Sequence, residues 1–102
     1  MSESQDREYE IGKIYSIDIN NLMPNPEQPR KYFDEDEIKA LAADIEVNGL
    51  LQNITFTCHE GKLIIISGER RVRAHKQLGK GTIEAKYVKG DLLTLALMEN
   101  IL

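Results

Sequence analysis

Residues 63–79, Leu63-Ile64-Ile65-Ile66-Ser67-Gly68-Glu69-Arg70-Arg71-Val72-Arg73-Ala74-His75-Lys76-Gln77-Leu78-Gly79, hold the change of period that decides the fold. Four consecutive branched apolar residues, 63–66, read as a strand buried on both faces. Gly68 breaks the run, and residues 69–78 then read as a helix that Gly79 stops. A buried strand thus turns through one glycine into a helix start. The first N–H groups of a helix lack internal partners and carry partial positive charge. That geometry suits a phosphate, and Arg70 and Arg71 stand beside it to neutralise one. At roughly 100° per residue, Arg71 shares the protein-facing side with Ala74, His75 and Leu78. Arg73, Lys76 and Lys80 gather on the opposite side, as solvated cations or phosphate contacts. An inward arginine needs an anionic partner. Two remain open: a ligand phosphate, or an internal carboxylate such as Glu69 or Glu99.

Working outward, Ile54, Phe56 and Cys58 alternate with Thr55 and Thr57, a half-buried strand. Glu60-Gly61 joins it to the decisive strand as a β-hairpin. Upstream, Asp34 with Glu37 three residues later is a variant capping box. Ile38, Leu41, Ala42 and Ile45 follow as one apolar helix stripe, and Asn48-Gly49 ends it. Residues 20–30 contain all three prolines of the chain, which bars helix and favours an extended, turning loop. Residues 11–19 alternate as a strand, behind a polar, acidic tail over 1–10 that is expected to be disordered. Downstream, residues 82–88 alternate again, and Asp91 caps a last apolar helix over 92–102. The order β-α-β-β-α-β-α predicts an α+β domain over residues 11–102: a small four-stranded mixed sheet with three helices.

Length agrees with one domain, because 102 residues bury roughly two thirds of their unfolded surface. The single cysteine, Cys58, excludes an internal disulfide framework and a multi-cysteine zinc site, and is expected to act as a small hydrophobe. No apolar run reaches the ~18 residues of a membrane span, and MSESQDREYE lacks the features of a signal peptide. A soluble, cytoplasmic domain is expected. The net charge of −4 conceals a split. Residues 1–60 carry five basic and thirteen acidic side chains, whereas residues 61–90 carry eight basic and two acidic. The basic stretch leaves phosphate binding open; a solvated lysine-rich face is the plainer alternative. His59 and His75 have no partner at metal-ligand spacing. Glu99 and Asn100 offer hard oxygen ligands of the kind Mg²⁺ accepts together with phosphates. Residues 25–30 are a rigid polar loop, and residues 49–53 a glycine-capped helix-to-strand connection.

Four blocks in order give these features a family. NPEQPRKYF at 25–33, LAADIEVNGLLQ at 41–52, SGERRVRAHKQLG at 67–79 and ALMENI at 96–101 resemble the N-terminal domain of the ParB family of chromosome and plasmid partition proteins. The resemblance covers residues 14–101. More distantly, the arrangement is similar to sulfiredoxin, which shares the fold.

The resemblance implies a nucleotide-binding switch domain of a DNA-partition or transcription-regulating protein, one that takes CTP with Mg²⁺, closes as a clamp-like homodimer and hydrolyses CTP slowly. It places Gly68, Glu69, Arg70 and Arg71 on the triphosphate. Gly49, Leu50, Leu51 and Gln52 line the pocket near the base, and Asn100 belongs to the nucleotide site. It ties Gln28 and Glu69 to hydrolysis and Glu99 to the metal. It implies DNA association through a dimer or a downstream domain, a partition ATPase as partner, and a nucleoid-associated location. Arg73, Lys76 and Lys80 would be nonspecific phosphate contacts.

Three departures stand out. Asn53 replaces the proline usual after the GLLQ block, the last block reads ENIL where ENxQR is usual, and the helix-turn-helix that reads DNA is missing. The competing reading is a small enzyme on the same fold, a ParB-like nuclease or small-molecule kinase. A sulfiredoxin-type reductase needs a cysteine beside the phosphate loop, and residues 67–70 contain none. A third reading is a protein-interaction domain with a decayed site, against which the retained Gln28, Glu69, Arg70 and Arg71 argue.

Overall fold

The computed structural model describes residues 8–28, 32–49 and 52–101, the last two by backbone alone. Leu50, Leu51 and the Asn100 side chain lie outside the described residues, as do residues 1–7, 29–31 and 102. Strands Ile14–Asp18 (β1), Leu22–Pro24 (β2), Ile54–His59 (β3), Lys62–Ser67 (β4) and Thr82–Tyr87 (β5) form one sheet. Helices Glu35–Asn48 (α1), Glu69–Gln77 (α2) and Leu92–Ile101 (α3) pack around it. The sheet order is β1-β5-β3-β4-β2. β1 runs antiparallel to β5 and β3 antiparallel to β4, while β5 with β3 and β4 with β2 are parallel. The mixed α+β architecture with three helices is therefore the expected one.

The strand count is corrected from four to five. The extra strand, β2, lies inside the proline-rich stretch expected to be loop. It is only three residues long, too short for a periodic signal, and it joins the sheet as an edge against β4. Pro24 is tolerated there because an edge strand need not donate on its open side. Leu22, 5% exposed, anchors β2 in the core. A single 3-10 turn, Ile19–Asn21, separates β1 from β2, with Asp18 accepting from the Asn20 N–H at 2.9 Å.

The decisive strand is buried on both faces, as its run of apolar residues requires. Leu63 and Ile65 join Ile54, Phe56 and Val72 of α2 in the main core. Ile64 and Ile66 face the other way, onto Leu92 and Leu95 of α3. α1 does not reach the sheet core; it lies on α2 through Ile38, Ala42, Ile45 and Ala74. Burying each large aliphatic side chain contributes up to about 1.5–3 kcal/mol, so β4 fixes both α2 and α3 to the sheet. Cys58 is half-buried against the main core, as a small hydrophobe would be.

Local signals explain the boundaries. The hairpin turns through Glu60 (φ 51°) and Gly61 (φ 76°), the left-handed pair of a two-residue type I′ loop. Asp34 caps α1 by accepting from the Asp36 N–H at 2.9 Å. Gly49 (φ 78°) closes it, its N–H donating to Ile45 O at 2.7 Å. At the N-terminal side, Tyr9 packs edge-on against Tyr15 and Phe56 and stacks on Tyr87, with centroids 4.8, 5.1 and 5.5 Å away. Such ring pairs contribute about 0.5–1.5 kcal/mol each, so Tyr9 holds the end of the expected disordered tail against the core, a correction to that expectation for the described residues 8–10. Among the described residues, no helix is long and apolar enough to cross a membrane.

Candidate functional site

β4 ends at Ser67, whose hydroxyl pairs with that of Thr55 across the hairpin at 2.6 Å. The next residue, Gly68, adopts φ 97°, ψ 26° and directly precedes α2. A side chain there would be strained twice over. The conformation is left-handed, and a Cβ would lie 2.5 Å from Ile54 Cγ2. Glycine lets the strand turn sharply, so that the unpaired N–H groups of α2 open onto a cleft of about 570 Å³. That volume suits a small-molecule ligand.

Five segments enclose this cleft. Ile65, Ile66 and Ser67 with Gly68, Glu69, Arg70 and Arg71 form its floor. Glu37 and Leu41 come from α1, and Gln52 and Asn53 from the connection before β3. Asn25, Gln28 and Phe33 come from the loop region between β2 and α1, and Glu99 from α3. Folding therefore gathers residues from all four motif blocks, up to 74 positions apart, around the start of α2.

The three arginines of α2 are held differently. Arg70 Nη1 donates to Glu37 Oε1 at 3.1 Å, joining the starts of α1 and α2. Arg71 is partly buried and its Nη2 donates to Gln52 Oε1 at 2.6 Å. Among the described residues no carboxylate forms an ion pair with Arg71. The internal salt bridge to Glu69 or Glu99 is not formed, and its cationic head is held in the cleft by a neutral amide. Arg73 is exposed on the outer side, as expected, but it is not a free cation. Its Nη2 and Nε donate to Glu69 Oε2 at 3.1 and 3.3 Å, and its guanidinium lies 4.3 Å from the Phe33 ring centroid. Lys76 and Lys80 are exposed and do not line the cleft.

Of the expected site residues, the structure brings together Gln28, Gln52, Gly68, Glu69, Arg70, Arg71 and Glu99. Gly49 caps α1 and lies outside the described lining. Sequence reasoning missed Asn25, Phe33, Glu37, Asn53 and Ser67 as lining residues. Asn25 and Phe33 stand within the NPEQPRKYF block, which was their available signal. In the sequence Glu37 has only the place of a capping residue; its pairing with Arg70 joins positions 33 apart.

His75 is buried, and burial is the main cause that holds its pKa below the ordinary 6.5. The Arg71 backbone opposes that shift and the Lys80 charge adds to it, while Nδ1 makes no hydrogen bond of good geometry. His59 is exposed beside Glu60 at 3.7 Å. Asp91 caps α3, its Oδ2 accepting from the Thr94 N–H at 3.2 Å; bonding to Thr94 lowers its pKa. Among the described residues, no three His, Cys, Asp or Glu side chains converge to hold a metal ion. A cation here would need phosphate oxygens besides protein carboxylates.

The family described as the ParB N-terminal domain matches residues 3–101. A nucleoid occlusion protein of Halalkalibacterium halodurans is 39% identical over 105 aligned positions, covering 97% of this chain and 37% of that protein. The chain thus spans little more than a third of that relative. The C-terminally truncated chromosome-partitioning protein ParB of Caulobacter crescentus, solved with CTP-γ-S, superposes with a TM-score of 0.77 at 31% identity, covering 88% of this chain and 53% of that one. The same Caulobacter protein has also been solved complexed to the centromeric parS site. Sulfiredoxin of Arabidopsis thaliana superposes with a TM-score of 0.67 at 26% identity, covering 88% of this chain and 98% of that one. A family match running from residue 3 to residue 101, together with a fold shared with a solved partition protein, makes this chain a member of the ParB N-terminal domain family.

Proposed function

We propose that this domain is a nucleotide-operated switch of a partition or nucleoid occlusion protein, and that the cleft at the start of α2 takes CTP. The observation that carries this reading is Arg71: a partly buried residue beside open helix N–H groups, whose guanidinium has a neutral amide partner and, among the described residues, no carboxylate. A phosphate oxygen would complete it with a charge-assisted bond. The likeness to a ParB solved with a CTP analogue supports the choice of nucleotide.

In this reading the N–H groups of residues 69–71 and the Arg71 guanidinium hold the triphosphate. Arg70 exchanges its exposed Glu37 partner for phosphate. Gln52 lies toward the base, where the family resemblance also assigns Leu50 and Leu51. Mg²⁺, when bound, would supply charge neutralisation to the phosphates. Glu99 fits that role, since Mg²⁺ is commonly held by one or two carboxylates plus phosphates. Gln28 and Glu69 line the same cleft and are the residues for slow hydrolysis, with Arg73 fixing the Glu69 carboxylate. Homodimerisation on nucleotide binding, DNA association, a partition ATPase as partner and a cytoplasmic, nucleoid-associated location belong to the same proposal. The nuclease alternative is less well supported, because Glu37 and Glu69 are each engaged by an arginine.

The test is calorimetric titration with CTP, ATP, GTP and UTP, each with Mg²⁺. Binding of CTP at least tenfold tighter than the others is expected. Absence of binding by all four, or equal affinities, overturns the reading.

A further inference from the structure

Asn25 is a polar side chain only 3% exposed, and each end of its amide is used. Oδ1 accepts from the Glu27 N–H at 2.9 Å, and Nδ2 donates to Leu92 O at 3.3 Å. The partners fix the amide orientation, since a backbone N–H needs an acceptor and a carbonyl needs a donor. The first bond, with Gln28 N–H donating to Asn25 O at 3.1 Å, folds residues 25–28 into a turn that sets Gln28 at the cleft. The second reaches 67 positions along the chain to the first residue of α3, whose last turns bring Glu99 to the same cleft.

α3 is otherwise held by a narrow stripe. Leu92, Leu95 and Ala96 are buried, while Leu93, Leu97 and Met98 are 48–56% exposed. An element with few buried apolar contacts sits at the low-stability end of a fold. A buried hydrogen bond at its first residue therefore has leverage over where it rests. We propose that Asn25 is a positioning residue that ties the Gln28 turn to α3, so that these two walls of the cleft respond to a bound ligand together. The proposal rests on the nucleotide reading given above, and it assigns to Asn25 a coupling role rather than contact with a reacting atom.

Serine separates the two bonds. Its hydroxyl can still accept from the Glu27 N–H, as in an ST-turn, but it is too short to reach Leu92 O. Asn25→Thr makes the same separation and serves as a second variant. Asn25→Ala loses both bonds. The experiment measures CTP–Mg²⁺ affinity by calorimetry, and hydrogen exchange of peptides covering residues 92–101 with and without CTP. In the unaltered chain, CTP is expected to slow exchange of α3 severalfold. In Asn25→Ser and Asn25→Thr, affinity should fall by no more than about tenfold, the range of one neutral hydrogen bond, while the CTP-induced slowing of α3 is lost. Asn25→Ala should bind more weakly than either. A purely structural pin would quicken α3 exchange by the same factor with and without CTP and leave the CTP-induced change intact. That result, in a variant that binds CTP, overturns the coupling. If the unaltered chain binds no nucleotide, the nucleotide reading itself fails and the coupling with it. If it binds CTP and α3 exchange does not change, only the coupling is overturned.

Discussion

Arg71→Ala is the perturbation that bears most directly on the cleft. Arg71 is partly buried, its Nη2 lies 2.6 Å from Gln52 Oε1, and no carboxylate competes for it among the described residues. A phosphate bound at the start of α2 would gain a charge-assisted hydrogen bond worth about 1.5–3 kcal/mol. Truncation should therefore weaken CTP binding about ten- to a hundredfold. Arg70 lies in the same cleft but already holds Glu37 at 3.1 Å, with both side chains about half exposed. Such an exposed pair contributes about 0–1 kcal/mol, which phosphate binding must first give up. Arg70→Ala should thus cost less than Arg71→Ala, about five- to thirtyfold. Lys76 is exposed and outside the cleft, so Lys76→Ala should change affinity by no more than about twofold and less at high salt. The assay is calorimetric titration of CTP–Mg²⁺ into the four proteins at low and physiological salt. Equal, small losses for Arg71→Ala and Lys76→Ala would refute the reasoning, since they would mean that helix-face position does not decide the contact.

Three further outcomes are expected. Gly68→Ala should destabilise the fold by about 2–5 kcal/mol and abolish CTP binding, because φ 97° is strained for alanine and its Cβ would press on fully buried Ile54; urea denaturation that shifts stability by less than about 1 kcal/mol would contradict this. The chain should bind DNA weakly and without sequence preference, because Arg73 is engaged by Glu69 and Phe33 and the exposed cations on the same side, Lys76 and Lys80, reach only phosphates; nanomolar binding of one sequence over its scrambled counterpart at physiological salt would count against it. His75 should make stability fall as pH drops below its ordinary value of 6.5. Burial depresses its folded pKa, so in that window the unfolded chain binds the extra proton, and the slope approaches at most about 1.4 kcal/mol per pH unit. Urea melts at pH 7.5, 6.5 and 5.5 should show this slope in the unaltered chain and a flatter one in His75→Gln; parallel curves would remove His75 as the cause.

Where period and punctuation are strong, sequence alone determined the outcome. The apolar run of residues 63–66 must be covered on both faces, and the structure covers it with Val72 on one side and Leu92 and Leu95 on the other. Gly68, Gly61 and Gly49 stand where the backbone turns left-handed, a requirement that is local and therefore legible. The inward face of α2 followed from helical geometry alone, with Ala74 and His75 buried and Lys76 exposed. What tertiary structure decided is what joins positions far apart. β2 has three residues and no periodicity of its own; it is a strand because β4 offers it a parallel edge. Glu37 looked like a capping residue and became the partner of Arg70 because α1 rests on α2 rather than on the sheet. Arg73 has the spacing of a solvated cation, yet a carboxylate one turn back and a ring from another segment capture it. Asn25 is unremarkable as a polar loop residue, and only the docking of α3 beside it makes its amide a buried link. Local conformational preference is written residue by residue, whereas the pairing of distant side chains depends on how whole elements pack, and that packing placed half of the cleft.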